Sequence, residues 1–151
     1  PTLAQLGDAA FEKARTLDVY SAPSEDAWRD RKAQVTTDES VAIYGVAGNW
    51  VLVSYTIGNG SRGRFGYIDN MTLENPDGVA RLAFANLPMT LQSDADATDD
   101  PLYGKATIRT LKAGEEVTLL AFMGNDWAYV QTAVDGKTCR LFIPQKALMQ
   151  E

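Results

Sequence analysis

Val41-Ala42-Ile43-Tyr44-Gly45-Val46-Ala47-Gly48-Asn49-Trp50-Val51-Leu52-Val53 returns later in the chain as Val117-Thr118-Leu119-Leu120-Ala121-Phe122-Met123-Gly124-Asn125-Asp126-Trp127-Ala128-Tyr129-Val130. The offset is 76 residues and becomes 77 once Asp126 is inserted before the tryptophan. Upstream, Val35 to Ser40 aligns with Leu111 to Glu116 at 76, and downstream Gly66-Tyr67-Ile68 aligns with Leu141-Phe142-Ile143 at 75. The later offset is shorter because the first copy carries a longer hairpin, Ile57 to Gly63. Self-similarity of this length indicates one small unit used twice. Charge follows the same division, with 7 basic and 10 acidic residues in 1 to 75 and again in 76 to 151.

Within each copy, short apolar runs alternate with turn residues, which is a β pattern. In the second copy the spacing predicts strands over Thr107 to Leu111, Val117 to Phe122, Trp127 to Thr132 and Cys139 to Ile143. Lys112-Ala113-Gly114-Glu115 and Gly124-Asn125-Asp126 supply turns, and Asp135-Gly136 suits a type I′ hairpin because both central residues there need positive φ. Pro144 stops the last strand. Five-residue strands joined by tight turns read as a small barrel or sandwich.

The expected organisation is a leader over 1 to 10, a first barrel over 11 to 73, a linker turn over 74 to 80 and a second barrel over 81 to 151. Leu3, Leu6, Ala10 and Ala14 share one face at helical spacing, so the leader is expected to be a short helix or irregular. Asn75-Pro76-Asp77-Gly78 forms the linker turn, Pro setting φ and Gly accepting a positive one. Units of about 60 residues are marginal alone, so the two are expected to pack together.

The 151 residues include no histidine and one cysteine, Cys139. Ser-His-Asp triads, Cys-His dyads and imidazole-held metals are excluded, as are intrachain disulfides and thiolate zinc sites. Glu115 and Glu116 cannot form a glycosidase pair, since neighbours on a strand edge face opposite ways. The chain therefore reads as no enzyme, needing no cofactor. Net charge is −6, with a pI near 4.6. Phosphate binding needs clustered Lys and Arg, and the longest basic run, Arg29-Asp30-Arg31-Lys32, is interrupted by an acid. A nucleic-acid partner is not expected. Neither is membrane insertion, because no apolar run approaches about 20 residues. The chain begins at Pro1, which reads as a processed protein or an excised piece.

Four carboxylates crowd Ser93 to Asp100. Asp94, Asp96 and Thr98 have the opening spacing of an EF-hand loop, but Asp99 stands where glycine is needed and Lys105 where glutamate is. A solvated loop is expected instead. Cys139 falls on the face of Leu141 and Ile143, opposite Arg140, and is expected to be a small half-buried residue. Asn59-Gly60-Ser61 and Asn70-Met71-Thr72 match a glycosylation sequon, a pattern too short to decide anything.

Taken in order, these motifs resemble the bacterial SH3-like (SH3b) family, twice over residues 11 to 148. Leu17-Asp18-Val19-Tyr20-Ser21-Ala22-Pro23-Ser24 is similar to that family's opening L-N-V-R-S-G-P-S, followed by Gly48-Asn49-Trp50 and the closing Gly66-Tyr67-Ile68. Leu111-Lys112-Ala113-Gly114-Glu115-Glu116-Val117 is similar to L-K-K-G-T-x-V. The second copy departs where Asp99-Asp100-Pro101 replaces Ser21-Ala22-Pro23, where Leu141 replaces Gly66, and where Cys139 matches Arg64. The resemblance implies a five- to six-stranded barrel per copy and a secreted or cell-envelope setting. It also implies a non-enzymatic binding module for peptidoglycan or an extended peptide, or, as the alternative, a structural spacer assembled with other domains of a longer chain.

Aromatic side chains are the candidate ligand-binding residues, because flat rings gain contact area while losing little rotamer entropy. They are Tyr20, Trp28, Trp50 and Tyr67 in the first copy, and Tyr103, Trp127 and Phe142 in the second. Trp50 and Trp127 each open an apolar strand and read mainly as core. Trp28 sits in the polar segment Ser24 to Asp30, where nothing else calls for burial, and reads as exposed or lining a groove. Tyr20 and Tyr67 suit either role.

Overall fold

The computed structural model describes residues 7–8, 16–29, 33–36, 41–57, 62–69, 73, 79–101 and 107–149. The expected linker turn over 75 to 78 and the sequons lie outside these residues, as do the leader positions Leu3, Leu6, Ala10 and Ala14. The described residues are almost wholly β. A four-stranded sheet runs in the order β1-β4-β5-β6, with β1 Gly7–Asp8, β4 Val41–Ala47, β5 Trp50–Ile57 and β6 Arg62–Asp69. The leader is therefore a strand where it is described, and β1 pairs antiparallel with β4. β2 Thr16–Asp18 and β3 Gln34–Thr36 form a separate two-stranded sheet.

The six-stranded sheet follows the order β7-β10-β11-β12-β8-β9. Its strands are β7 Leu87–Thr90, β8 Ala95–Thr98, β9 Thr107–Leu111, β10 Glu116–Met123, β11 Trp127–Val134 and β12 Lys137–Pro144. These contain every strand expected in the second copy. Asp135 and Gly136 take φ of 53° and 76° in the β11–β12 turn, as a type I′ hairpin demands. None of the ladders closes into a barrel: among the described residues the six-stranded order ends at β7 and β9, and the four-stranded order at β1 and β6.

The meanders β4-β5-β6 and β10-β11-β12 share an irregularity. The β4–β5 register shifts between Ile43 and Gly45, and the β10–β11 register between Leu119 and Ala121, 76 residues later. Gly45 has φ of 146°, and a Cβ there would lie 2.8 Å from Leu82 Cδ2. Only glycine allows this close approach. The segment after the linker uses it, since Val46 N–H bonds Ala80 O and Leu82 N–H bonds Val46 O before Ala85 N–H crosses to Leu120 O.

Both meanders bury two faces. Val51, Val53 and Ile68 point into a first core with Val19, Val35 and Ile43. Val117, Leu119, Ala128, Val130, Leu141 and Ile143 fill a second. The opposite faces meet in a third cluster made of Tyr44, Leu52, Phe65 and Tyr67 from one half with Leu120, Ala121, Tyr129 and Phe142 from the other. Phe65 and Phe142 ring centroids are 4.8 Å apart, and those of Tyr129 and Phe142 4.7 Å. Each such pair adds about 0.5–1.5 kcal/mol beyond area burial. At the centre Arg140 Nη1 and Tyr129 Oη both donate to Tyr67 Oη, at 2.9 and 3.0 Å. The two halves do pack together, through a polar-centred aromatic interface.

Two matching crossings are among the backbone bonds that clamp this interface. Phe65 N–H donates to Asp99 O at 2.9 Å, and Arg140 N–H to Ser21 O at 3.2 Å. Beside the first, Arg64 Nη2 and Nε reach Asp99 Oδ2 at 2.6 and 2.9 Å, the two side chains only 12% and 10% exposed. Beside the second, the Cys139 thiol lies next to the Ser21 hydroxyl, which donates to Trp28 O. The expectation of a solvated loop over Ser93 to Asp100 is thereby corrected: Ala95 to Thr98 is a strand, and Ala97, Thr98, Asp99 and Asp100 are buried. Asp94 and Asp96 stay exposed, but Asp99, which looked like a solvating group, is held by an arginine from the far half, which no local pattern encodes.

Candidate functional site

The connection Ser21 to Arg29 projects between the halves with an open cleft on either side. Its base is stapled by Ser21 N–H to Trp28 O at 3.1 Å and by Ser21 Oγ to Trp28 O at 2.5 Å. Its tip is shaped by Ser24, whose carbonyl accepts from Ala27 N–H and whose hydroxyl accepts from Asp26 N–H at 3.1 Å, a turn in which serine replaces a backbone partner. Ala22 and Ala27 are buried. The expectation that nothing in this segment calls for burial is corrected at Ala27, whose methyl packs inward and sets the loop's direction.

Trp28 is half-buried and packs against the second half's core, while its N–H donates to Thr138 O at 2.9 Å on β12. Its remaining surface lines a cleft of about 460 Å³ with Tyr20, Glu25, Ala27, Arg29, Asp135 and Lys137. Arg29 lies over the Tyr20 ring at 5.1 Å and donates to Val19 O, Ala33 O and Asp18 Oδ1. Those bonds use Nε and Nη2.

On the loop's other side a cleft of about 480 Å³ is lined by Pro23, Ser24, Glu25, Asp26, Asn49, Trp50 and Asp69. Trp50 pairs with Asp69 across β5 and β6, which sets a carboxylate beside the indole. Tyr20 braces the indole edge-on at 5.4 Å and 77°. Trp50 also packs on the shared aromatic cluster, so it is at once wall and core. Three carboxylates and an indole, with no basic group among the lining residues, make this cleft suited to a cation: the carboxylates supply charge and the indole face a cation–π contact.

The other candidates lie elsewhere. Tyr67 is fully buried with its hydroxyl in the inter-half network, and burial raises its pKa despite the nearby Arg140. It belongs to the shared core, not to a surface groove. Phe142 is fully buried in the same cluster, and Trp127 is half-buried against it, opposite Pro144. Tyr103 lies outside the described residues. Cys139 is fully buried, and burial pushes its thiol up to about 12, against a usual value near 9, so it stays protonated and unreactive. Glu115 is spent on Arg109 and on the N–H of Lys112, and Asp94 on the N–H of Ala113. Sequence reasoning missed Asp69, Asp135 and Lys137 as cleft residues. The Glu25-Asp26 pair beside Trp28 was the available signal, but the partners 40 to 110 residues away had none.

Among the described residues no group of three or more His, Cys, Asp or Glu is placed to hold a metal ion, and no helix is long and apolar enough to cross a membrane. No family model and no curated protein matches the chain. Among solved structures it is similar to NlpC2 from Trichomonas vaginalis, at 19% identity and a TM-score of 0.37, covering 99% of this chain and 49% of that one. It is also similar to NlpC1 from the same organism, at 17% identity and a TM-score of 0.34, covering 98% and 46% respectively. The chain spans about half the length of these two.

Proposed function

We propose that this chain is a non-enzymatic binding module of the cell envelope, two SH3-like copies fused through an aromatic core, which holds peptidoglycan through its extended stem peptides. The observation that carries this reading is the cleft of Trp50 with Glu25, Asp26 and Asp69, where a free amine of such a peptide meets carboxylates and an aromatic face together. The resemblance of the sequence motifs to SH3b modules agrees with it. Sedimentation with purified sacculi tests the proposal. Retention is expected at low salt, falling as ionic strength rises, and Asp26→Asn with Asp69→Asn is expected to lower it about tenfold, the order of two lost charge contacts. Retention that ignores both salt and the double substitution would overturn the assignment.

A second reading is favoured by one specific feature. The aromatic faces of both sheets are filled by each other, and Trp28 is seated on the second half, as a rigid spacer within a longer envelope protein requires. Absence of any retention, with the fold intact by near-UV circular dichroism, selects the spacer. Release of soluble fragments from the sacculi would refute the non-enzymatic assignment itself.

A further inference from the structure

The cleft on the Trp28 side differs in chemistry from the one at Trp50. Its rim carries two cations, Arg29 and Lys137, and two anions, Glu25 and Asp135, around the aromatic walls of Tyr20 and Trp28. Glu25, Asp135 and Lys137 are exposed and make no ion pair among the described residues. Arg29 keeps Nη1 without a hydrogen-bond partner there, its other nitrogens being used to hold the group in place. The cleft is also preformed. Its loop wall is tied to its hairpin wall by Trp28 N–H to Thr138 O, one residue from Lys137, and the hairpin is fixed by the full β11–β12 ladder from Trp127 to Lys137.

Lys137, Asp135 and Glu25 stand unpaired around one space with two aromatic walls, and Arg29, already paired with Asp18, still offers Nη1 to it, an arrangement matched by a ligand carrying both signs. We propose that this inter-half cleft is a second binding site, for a zwitterionic amino-acid centre. In it Lys137 and Arg29 take the carboxylate, Asp135 and Glu25 take the ammonium, and Tyr20 and Trp28 cover the side chain. Because its walls come from both halves, occupancy ties residues 20–29 to residues 135–137. The site does not depend on the envelope assignment: of these two clefts Lys137 lines this one and Asp26 and Asp69 the other, with Glu25 shared between them.

Titration of the ¹⁵N-labelled chain with leucine, 3-methylbutylamine and 4-methylpentanoate separates the charges, since the last two are leucine without its carboxylate and without its amine. Leucine is expected to shift the Trp28 indole resonance and leave that of Trp127 in place, with each analogue binding about tenfold more weakly for want of one charged partner. Lys137→Gln is expected to weaken leucine while leaving the amine unchanged. Asp135→Asn, which keeps a residue tolerant of φ 53° in the turn, is expected to weaken leucine and leave 4-methylpentanoate unchanged. An unresponsive Trp28 indole, or an amine or acid that binds as well as leucine, overturns the site. Unchanged sacculus retention by Lys137→Gln alongside lost leucine binding shows the two clefts acting separately.

Discussion

In the first half, β6 offers Arg64 and Phe65 to Asp99 of the second; in the second half, β12 offers Cys139 and Arg140 to Ser21 of the first. Arg64 and Cys139 occupy matching places in the repeat, and so do Ser21 and Asp99. Two of the backbone crossings, Phe65 N–H to Asp99 O and Arg140 N–H to Ser21 O, therefore correspond, but the side chains beside them differ completely. One crossing is a buried ion pair and the other a small thiol against a hydroxyl. In sequence these four positions look like separate departures from one pattern. Across the interface they are two complementary pairs: a change from Ser to Asp on one half accompanies an Arg in place of Cys on the other.

The flanks of the crossings differ as well. β8 and β9 join the main ladder of the second half through Thr98 and Phe142, whereas β2 and β3 stay a separate sheet, touching β6 by the single bridge Tyr20–Tyr67. Gly66 shows the local cause. Val19 comes so close that a Cβ at 66 would lie 2.3 Å from its Cγ1, whereas the matching position holds Leu141, fully buried in the second core. One half makes room for a strand to pass over it, and the other fills the space with a side chain. The loop that follows, Ser21 to Arg29, is left free of the main ladder to form both clefts.

The strongest way to break this comparison is Arg64→Ala, which removes the guanidinium that Asp99 meets in the interface. A loss of about 3–5 kcal/mol is expected in urea unfolding, against about 1 kcal/mol for Ser21→Ala at the corresponding crossing. Removing both charges, Arg64→Leu with Asp99→Ala, is expected to cost far less than either single change, since no buried charge is left alone. Equal costs at the two crossings would show that the backbone bonds alone carry the clamp. Next in size is Gly66→Ala, where overpacking against the branched Val19 is expected to cost about 1–3 kcal/mol and to shift the Tyr20 and Trp50 resonances. A neutral result would mean that β2 is not held against β6.

The smallest effect at neutral pH comes from Cys139, and it grows only in alkali. Its folded pKa is raised, so its contribution is complete below the usual thiol value near 9 and is lost as pH rises towards about 12. Tyr67 and Tyr129, raised by burial above a usual value of 10.0, act in the same direction at higher pH. Stability is expected to fall across that window, and Cys139→Ala to flatten its lower part. The fall persisting unchanged in that variant would assign the whole effect to the tyrosines.

Much of the candidate site was legible only as composition. Trp28, Tyr20 and Trp50 could be named as aromatic wall residues because each stands beside turn or loop residues, and all three do line or brace a cleft. Tyr67, Trp127 and Phe142 stand in equally plausible strand positions, yet they face the other half. Alternation along a strand separates one face from the other, but both faces here are apolar and both are buried, one in its own core and one in the shared cluster. A period of two cannot say which face meets a partner and which meets solvent.

Local chemistry by itself determined the meander strands and the Asp135-Gly136 turn, which depend on residues within a few positions of one another, and the sequence taken whole supplied the repeat and excluded histidine chemistry. Tertiary structure alone decided that the ladders stay open, that Asp99 is a buried anion and that Lys137 faces Trp28. The last two depend on contacts between halves, whose free energy comes from burying charge and aromatic area against residues that sequence proximity does not bring together.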